Sequence, residues 1–216
     1  PDVNMAKTFG AVYDYLNTLK PDMFYFTSLL PIYCSDITRF SSTQTDKEAA
    51  YKEYIEAFSS ETNAFVYDSY PLFYDPVQGA TSLEETWYQN LRLVAESAKA
   101  NGHDAGIAIQ SCAFGNAGGE QSFHKRAVST KADVTFQLYT SLAYGMKHFS
   151  YFTYWEHWSE GDGEDFYTAM VEYPEKNGQE PIKTDAYYAV KEVNLEVKKF
   201  DHVFLNYDWE GTMQVV

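Results

Sequence analysis

Four short apolar runs punctuate the chain, and each ends on polar or aromatic residues. They are Met23-Phe-Tyr-Phe-Thr-Ser-Leu-Leu-Pro31, Ala64-Phe-Val-Tyr-Asp-Ser-Tyr-Pro71, Ala105-Gly-Ile-Ala-Ile-Gln-Ser111 and His148-Phe-Ser-Tyr-Phe-Thr-Tyr-Trp155. Runs of this length and content read as buried strands. Pro71, which has no amide hydrogen, stops the second from pairing further. Between them apolar residues recur at helical spacing. Phe9, Val12 and Leu16 mark one face over residues 3–19, and Ala49, Tyr51, Ile55 and Phe58 another after Asp46. Ser82 and Glu85 form a capping-box pattern ahead of Trp87, Leu91, Val94 and Ala98, a helix closed by Asn101-Gly102. Ser129 or Thr130 starts the next, with Val134, Leu138, Leu142 and Gly145 along its spine; Ala186, Val190, Val193, Val197 and Phe200 mark the last. The tail from His202 returns to a strand-like pattern.

Strands alternating with helices predict an α/β protein with a parallel sheet. Strands that carry their polar and aromatic residues at one end predict a (β/α) barrel of the TIM type, with its site at the C-terminal face. Four strands are half the number that closes such a barrel, which typically takes about 250 residues. Residues 1–205 therefore read as the second half of a barrel, strands five to eight, and 206–216 as the start of a following segment or module. An open four-stranded α/β layer is the other arrangement of the same elements; it leaves two strand edges to be covered.

Charge narrows the partners. A formal charge of −15 over 216 residues repels phosphate backbones, so no nucleic-acid partner is expected. No apolar run approaches the roughly 20 residues of a membrane span, so no membrane partner is expected either. Aromatic residues make up 18% of the chain, and many fall at or just after strand ends. Sugar-binding clefts use such rings, because a pyranose has an apolar face that stacks on them; core packing is the competing use. Cys34 and Cys112 follow different strands and form no metal motif; they read as free thiols, with a disulfide between them as the alternative, and the compartment stays open between cytoplasm and exterior.

The motifs Tyr67-Asp-Ser-Tyr-Pro71, Ile109-Gln-Ser111, Leu138-Tyr-Thr-Ser-Leu-Ala-Tyr-Gly145 and Phe149-Ser-Tyr-Phe-Thr-Tyr-Trp155 occur in this order, preceded by Leu29-Leu-Pro31. Together they resemble the C-terminal half of the barrel in bacterial glycoside hydrolases related to the β-galactosidase families of the large retaining clan. The resemblance implies cleavage of a β-linked sugar, possibly a galactoside. It implies an acid/base Glu at the end of barrel strand four, upstream of Pro1, and a nucleophile Glu at the end of strand seven. That second position falls at or near Gln110, which is not a carboxylate. A sugar-binding barrel that has lost hydrolysis, with Gln110 in the nucleophile's place, is the alternative. The implied partners are a carbohydrate and either the missing N-terminal half of the barrel or a second copy of the chain.

Glycoside hydrolysis needs two carboxyl groups flanking the bond. The carboxylates at strand ends are Asp68, set among Tyr67, Tyr70 and Phe73, and Glu156, between Trp155 and His157. Burial among aromatics raises a carboxyl pKa and suits an acid. Hydrogen bonding to sugar hydroxyls and a local structural role are the other readings of Asp68. Glu120, in the glycine-rich loop that begins at Phe114, is a further loop carboxylate. Trp155 is the stacking candidate, with Ser28, Tyr70, Gln110 and Tyr154 as polar contacts to substrate. No cofactor is expected. Glu160-Gly-Asp-Gly-Glu-Asp165 has oxygen ligands at calcium-like spacing but lacks the closing Glu of the twelve-residue pattern, and the five histidines show no paired metal spacing.

Overall fold

The computed structural model describes residues 1–34, 36–62, 64–75, 80–116, 130–155, 164–172 and 180–213. After a 3-10 turn, Val3–Met5, the elements run α1 (Ala6–Leu19), β1 (Thr27–Leu29), α2 (Lys47–Ser59), β2 (Ala64–Asp68), β3 (Leu72–Asp75), β4 (Ala80–Leu83) and α3 (Trp87–Asn101). They continue with β5 (Asp104–Gln110), β6 (Ala113–Asn116), α4 (Lys131–Ala143), β7 (His148–Phe152), β8 (Glu164–Thr168), β9 (Val171–Glu172), β10 (Ile182–Lys183), α5 (Asp185–Val197) and α6 (Asp201–Asn206).

The four runs read from the sequence as strands form one sheet in the order β1-β2-β5-β7, every pair parallel. Their order in space is their order in the chain. Because parallel crossovers are right-handed, a sheet built in this order receives every helix on the same face. The core shows this. Leu29, Phe65, Tyr67, Ala105, Ile107 and Ile109 join residues from all of α1 to α5 in one hydrophobic cluster. The protein is thus an α/β fold in which the described helices form a single layer.

The register assigns the other face. Ser28, Val66, Gly106 and His148 form one row across the sheet, and Asp68, Ala108 and Ser150 the next. Alternation puts these opposite the helix-facing residues. The Phe24 ring, ahead of β1, lies 4.2 Å from the imidazole of His148 on the far edge strand. Neighbouring strands stand about 4.8 Å apart, so that contact fits a sheet curled toward its helix-free face.

Local signals explain most element limits. Asp46 accepts from the Ala49 amide and Thr130 from the Asp133 amide, capping α2 and α4, and α3 closes at Gly102. Three readings are corrected. Ser82 does not cap α3: it pairs with Phe73 in the antiparallel β3–β4 hairpin, and the helix starts at Trp87. Val12 is exposed, while Ala6 and Gly10 are the buried positions of α1. The tail is not strand-like at its start; 201–206 are helical, and the chain then runs back under the N-terminal end of the sheet.

That tail is fastened by several contacts. Trp209 stacks on Tyr144 with ring centres 6.0 Å apart, Asp208 lies 2.9 Å from Lys147, and Glu210 lies 2.7 Å from Lys99. Gly145, at φ +81°, leaves room for the indole, since a Cβ there would lie 2.8 Å from the Trp209 Cβ. The two ion pairs are exposed and add little. The half-buried indole is the main fastening, and Trp209→Ala is expected to cost about 1–2 kcal/mol in chemical denaturation.

Candidate functional site

The two ends of the sheet are built differently. At the N-terminal end the chain passes from helix to strand through short segments such as 60–63, 102–103 and 144–147. At the C-terminal end the connections run over 30–46, 69–86, 111–130 and 153–184 and include the β3–β4 hairpin and the antiparallel β6–β8 pair. Elaborated strand-to-helix connections are where α/β proteins carry ligand sites.

Asp68 is the last residue of β2 and lies half-buried on the helix-free face, at this end. Burial raises its carboxyl above the ordinary aspartate range. Four tyrosines lie within reach of its charge. Burial pushes the hydroxyls of Tyr33, Tyr51, Tyr54 and Tyr70 well up, and the negative charge of Asp68 adds to the effect in each. These phenols stay protonated at any ordinary pH; Tyr51 and Tyr54 are fully buried and their hydroxyls face backbone carbonyls, of Leu30 and Pro1, which leaves Tyr33 and Tyr70 as the candidates to meet a ligand.

The tyrosines are held by a polar network. Asn90, fully buried on α3, accepts from the Ile32 amide at 2.6 Å and donates to the Tyr51 hydroxyl at 3.1 Å. Tyr51 in turn donates to the Leu30 carbonyl, and the Leu30 amide donates to the Tyr54 hydroxyl, each at 3.0 Å. The turn after β1 that carries Tyr33 is thereby fixed at both its amide and carbonyl groups. The Tyr33 hydroxyl accepts from the Tyr70 amide at 3.3 Å, tying the ends of β1 and β2 together. The Tyr70 ring lies 5.2 Å from that of Phe152 at the end of β7.

Beyond Phe152, Tyr154 and Trp155 are 44% and 45% exposed, with their rings edge to face at 5.2 Å. Residues 153–155 are pinned by the Met170 and Val171 amides, which donate to the Thr153 and Tyr154 carbonyls at 3.3 and 2.8 Å. A rigidly held, half-exposed Trp at a strand end can stack on a flat apolar ligand face.

The structure thus gathers Asp68 and Tyr70 at the C-terminal end and sets Tyr154 and Trp155 just past the end of β7. Ser28 lies lower on the same face, in the row of Val66 and Gly106, and is exposed. Gln110 is fully buried, with its carboxamide turned onto the Leu72 backbone. Glu156 and Glu120 lie outside the described residues, as does most of the acidic loop. Glu84 lies near Tyr33, but its carboxylate accepts from the amide and hydroxyl of Thr86 at 3.0 and 2.6 Å and shapes the start of α3.

Cys34 and Cys112 are free thiols, and burial pushes that of Cys112 up to about 12. Among the described residues no three His, Cys, Asp or Glu side chains gather as metal ligands, and no helix is long and apolar enough to cross a membrane. Tyr33, Asn90 and Gln137 were not singled out from the sequence. The only local sign was a polar residue on an otherwise apolar helix face, as at Asn90 beside Leu91 and Gln137 beside Leu138. Comparison with known proteins finds no matching family model, curated protein or solved structure.

Proposed function

We propose that this protein is a glycoside hydrolase-like unit acting on a β-linked sugar, with Asp68 as its acid. The observation that carries the reading is a half-buried carboxyl, raised by burial, near the protonated hydroxyls of Tyr33 and Tyr70 at the elaborated end of a parallel sheet. A neutral carboxyl supplies the proton a glycosidic oxygen needs as its bond breaks, and tyrosine hydroxyls hydrogen-bond sugar hydroxyls. Trp155 and Tyr154, just past the end of β7 two strands away, supply a stacking surface at the same end of the sheet. We assign the second carboxyl that the reaction needs to Glu156, which lies outside the described residues, or to a neighbouring barrel half. The test is hydrolysis of a panel of aryl glycosides by the protein. Release of aglycone from one β-anomer supports the reading. A folded protein that neither cleaves nor binds any member of the panel overturns it.

We also propose that the sheet is half of a (β/α) barrel. Strand order equal to chain order and, among the described residues, a helix-free face and two unpaired outer edges support this. The helices at the two ends of the layer support it as well: α1 exposes Val12, Tyr15 and Leu19, and α5 exposes Tyr188 and Leu195. A two-fold axis along the strands would bring β7 of one copy beside β1 of the next in parallel at both seams, and an upstream half would fill the same space. Isolated, the chain is expected to sediment as a dimer or to aggregate. A monodisperse monomer in analytical ultracentrifugation overturns the half-barrel assignment.

A further inference from the structure

The sheet has a notch at the mouth of the site. β2 pairs with β5 only as far as Asp68 opposite Ala108, after which Tyr70 and Pro71 lead the chain away into β3. The Ser111 amide donates to the Phe152 carbonyl at 2.7 Å, so the backbone groups of Gln110 face the other way, toward the strand that has left. Buried peptide groups need partners. Gln137 on α4 provides them: its side-chain oxygen accepts from the Gln110 amide at 2.9 Å and its side-chain nitrogen donates to the Gln110 carbonyl at 3.2 Å. Gln110 repeats the pattern one step outward. Its side-chain oxygen accepts from the Leu72 amide at 2.9 Å, and its nitrogen donates to the Leu72 carbonyl at 3.2 Å and to the Cys112 carbonyl at 3.5 Å. Both side chains are fully buried.

We propose that Gln137 and Gln110 are positioning residues: two carboxamides in series that stand in for missing strand backbone, fix where β2 leaves the sheet, and so hold Asp68 and Tyr70 at the mouth. A carboxamide suits this task because it presents an acceptor and a donor side by side, as a peptide group does. Leu72 follows Tyr70 by two residues, so clamping its amide and carbonyl limits where the Tyr70 ring can lie. The side chain at 110 is therefore spent on the protein's own backbone and is not offered to a ligand. The consequence for Asp68 rests on the site assignment above, whereas the splice itself does not.

Gln110→Glu separates these roles. A carboxylate accepts from the Leu72 amide but cannot donate to the Leu72 carbonyl, whereas a protonated carboxyl can do both. Melting is compared at about pH 5 and about pH 8, a range that spans a Glu raised by burial. Gln110→Glu is expected to melt about 5 °C below the parent at the higher pH and to recover much of that gap at the lower. Gln110→Met stays depressed at both, and Gln137→Glu follows the same acid rescue. A gap that does not change with pH overturns the splice, as does a Gln110→Glu variant as stable as the parent at the higher pH.

Positioning is read from the Asp68 carboxyl titration by carbon-13 NMR. In Gln110→Met it is expected to move toward the ordinary aspartate range as the end of β2 loosens. In Trp209→Ala, destabilised at the opposite end of the sheet, it stays where it is in the parent. An unmoved Asp68 in Gln110→Met reduces the pair to scaffold and overturns the proposal, as does any gain of glycoside turnover by Gln110→Glu. A parent protein silent on every glycoside would sink the assigned reaction while leaving the acid rescue intact.

Discussion

Replacing Asp68 with Asn is expected to lower aryl glycoside turnover by about 10²–10⁴-fold, the range a positioned general acid contributes, while making the fold more stable at neutral pH. The two effects have one cause. Burial disfavours the charged carboxylate, so the folded protein holds its proton to a higher pH than the unfolded chain does. Between the ordinary aspartate value and the raised one, the folded state binds more protons. Stability therefore falls as pH rises through that window, and it stays lower above it. Asn has the same shape and no charge, so the variant loses this dependence. Its advantage over the parent should be absent in strong acid and full above the raised pKa. Paired pH series of activity and denaturation check both parts. An Asn variant that loses activity and stability together would place Asp68 in the structure of the turn instead of in the chemistry.

Gly106→Ala is expected to cost about 1–3 kcal/mol or more, the usual range for overpacking, and about 2–4 °C of melting temperature per kcal/mol. Gly106 stands in the middle of the sheet, paired with Val66 on one side and His148 on the other. A Cβ there would lie 2.4 Å from the His148 carbonyl oxygen and 2.7 Å from the His148 Cβ. Neither can retreat cheaply, because both belong to a neighbouring strand paired through Phe152. Relief has to come from parting β5 and β7 at their start, which also disturbs the Phe24 ring on His148. Urea unfolding should show a lower midpoint with an unchanged slope. A variant as stable as the parent would mean the two strands stand farther apart than described.

The sequence made the architecture legible where one local signal sufficed. Asp46, Thr130 and Gly102 punctuate helices by chemistry confined to a few residues, and Tyr51, Ile55, Trp87, Leu91, Val134 and Leu138 recur at a spacing only a helix buries together. Misreadings arose where a partner distant in sequence decided the outcome. Ser82 and Glu85 carry a valid capping pattern, yet Ser82 is taken by Phe73 across a hairpin that the pattern does not encode. Val12 sits at core spacing on a helix at the end of the layer, where one neighbour is absent among the described residues, so it faces outward. At the candidate site, the placement of Asp68 and Tyr70 at and just past the end of β2 was legible because a strand end is a local feature. Gln110 was visible as a position but not as a role, since its partners are backbone atoms of Leu72 and a side chain on α4. Tyr33 and Asn90 depend on contacts spanning tens of residues, which no periodicity reports.

Strand order equal to chain order also sets a direction for assembly. A ribosome delivers the N-terminal part first, at about 5–20 residues per second. Within the four-stranded sheet of the described residues, each newly made strand finds a parallel neighbour in the strand made just before it. The sheet can grow by addition at one edge, with each crossover helix closing over the core already formed, and no early strand has to wait for a late one to be inserted beside it. Later contacts then close on what has formed: β8 pairs with the earlier β6, the imidazole of His148 completes a contact left open by Phe24, and the indole of Trp209 fastens the base. Synthesis arrested before β5 would leave β2 as a bare edge, the kind of surface that recruits other chains.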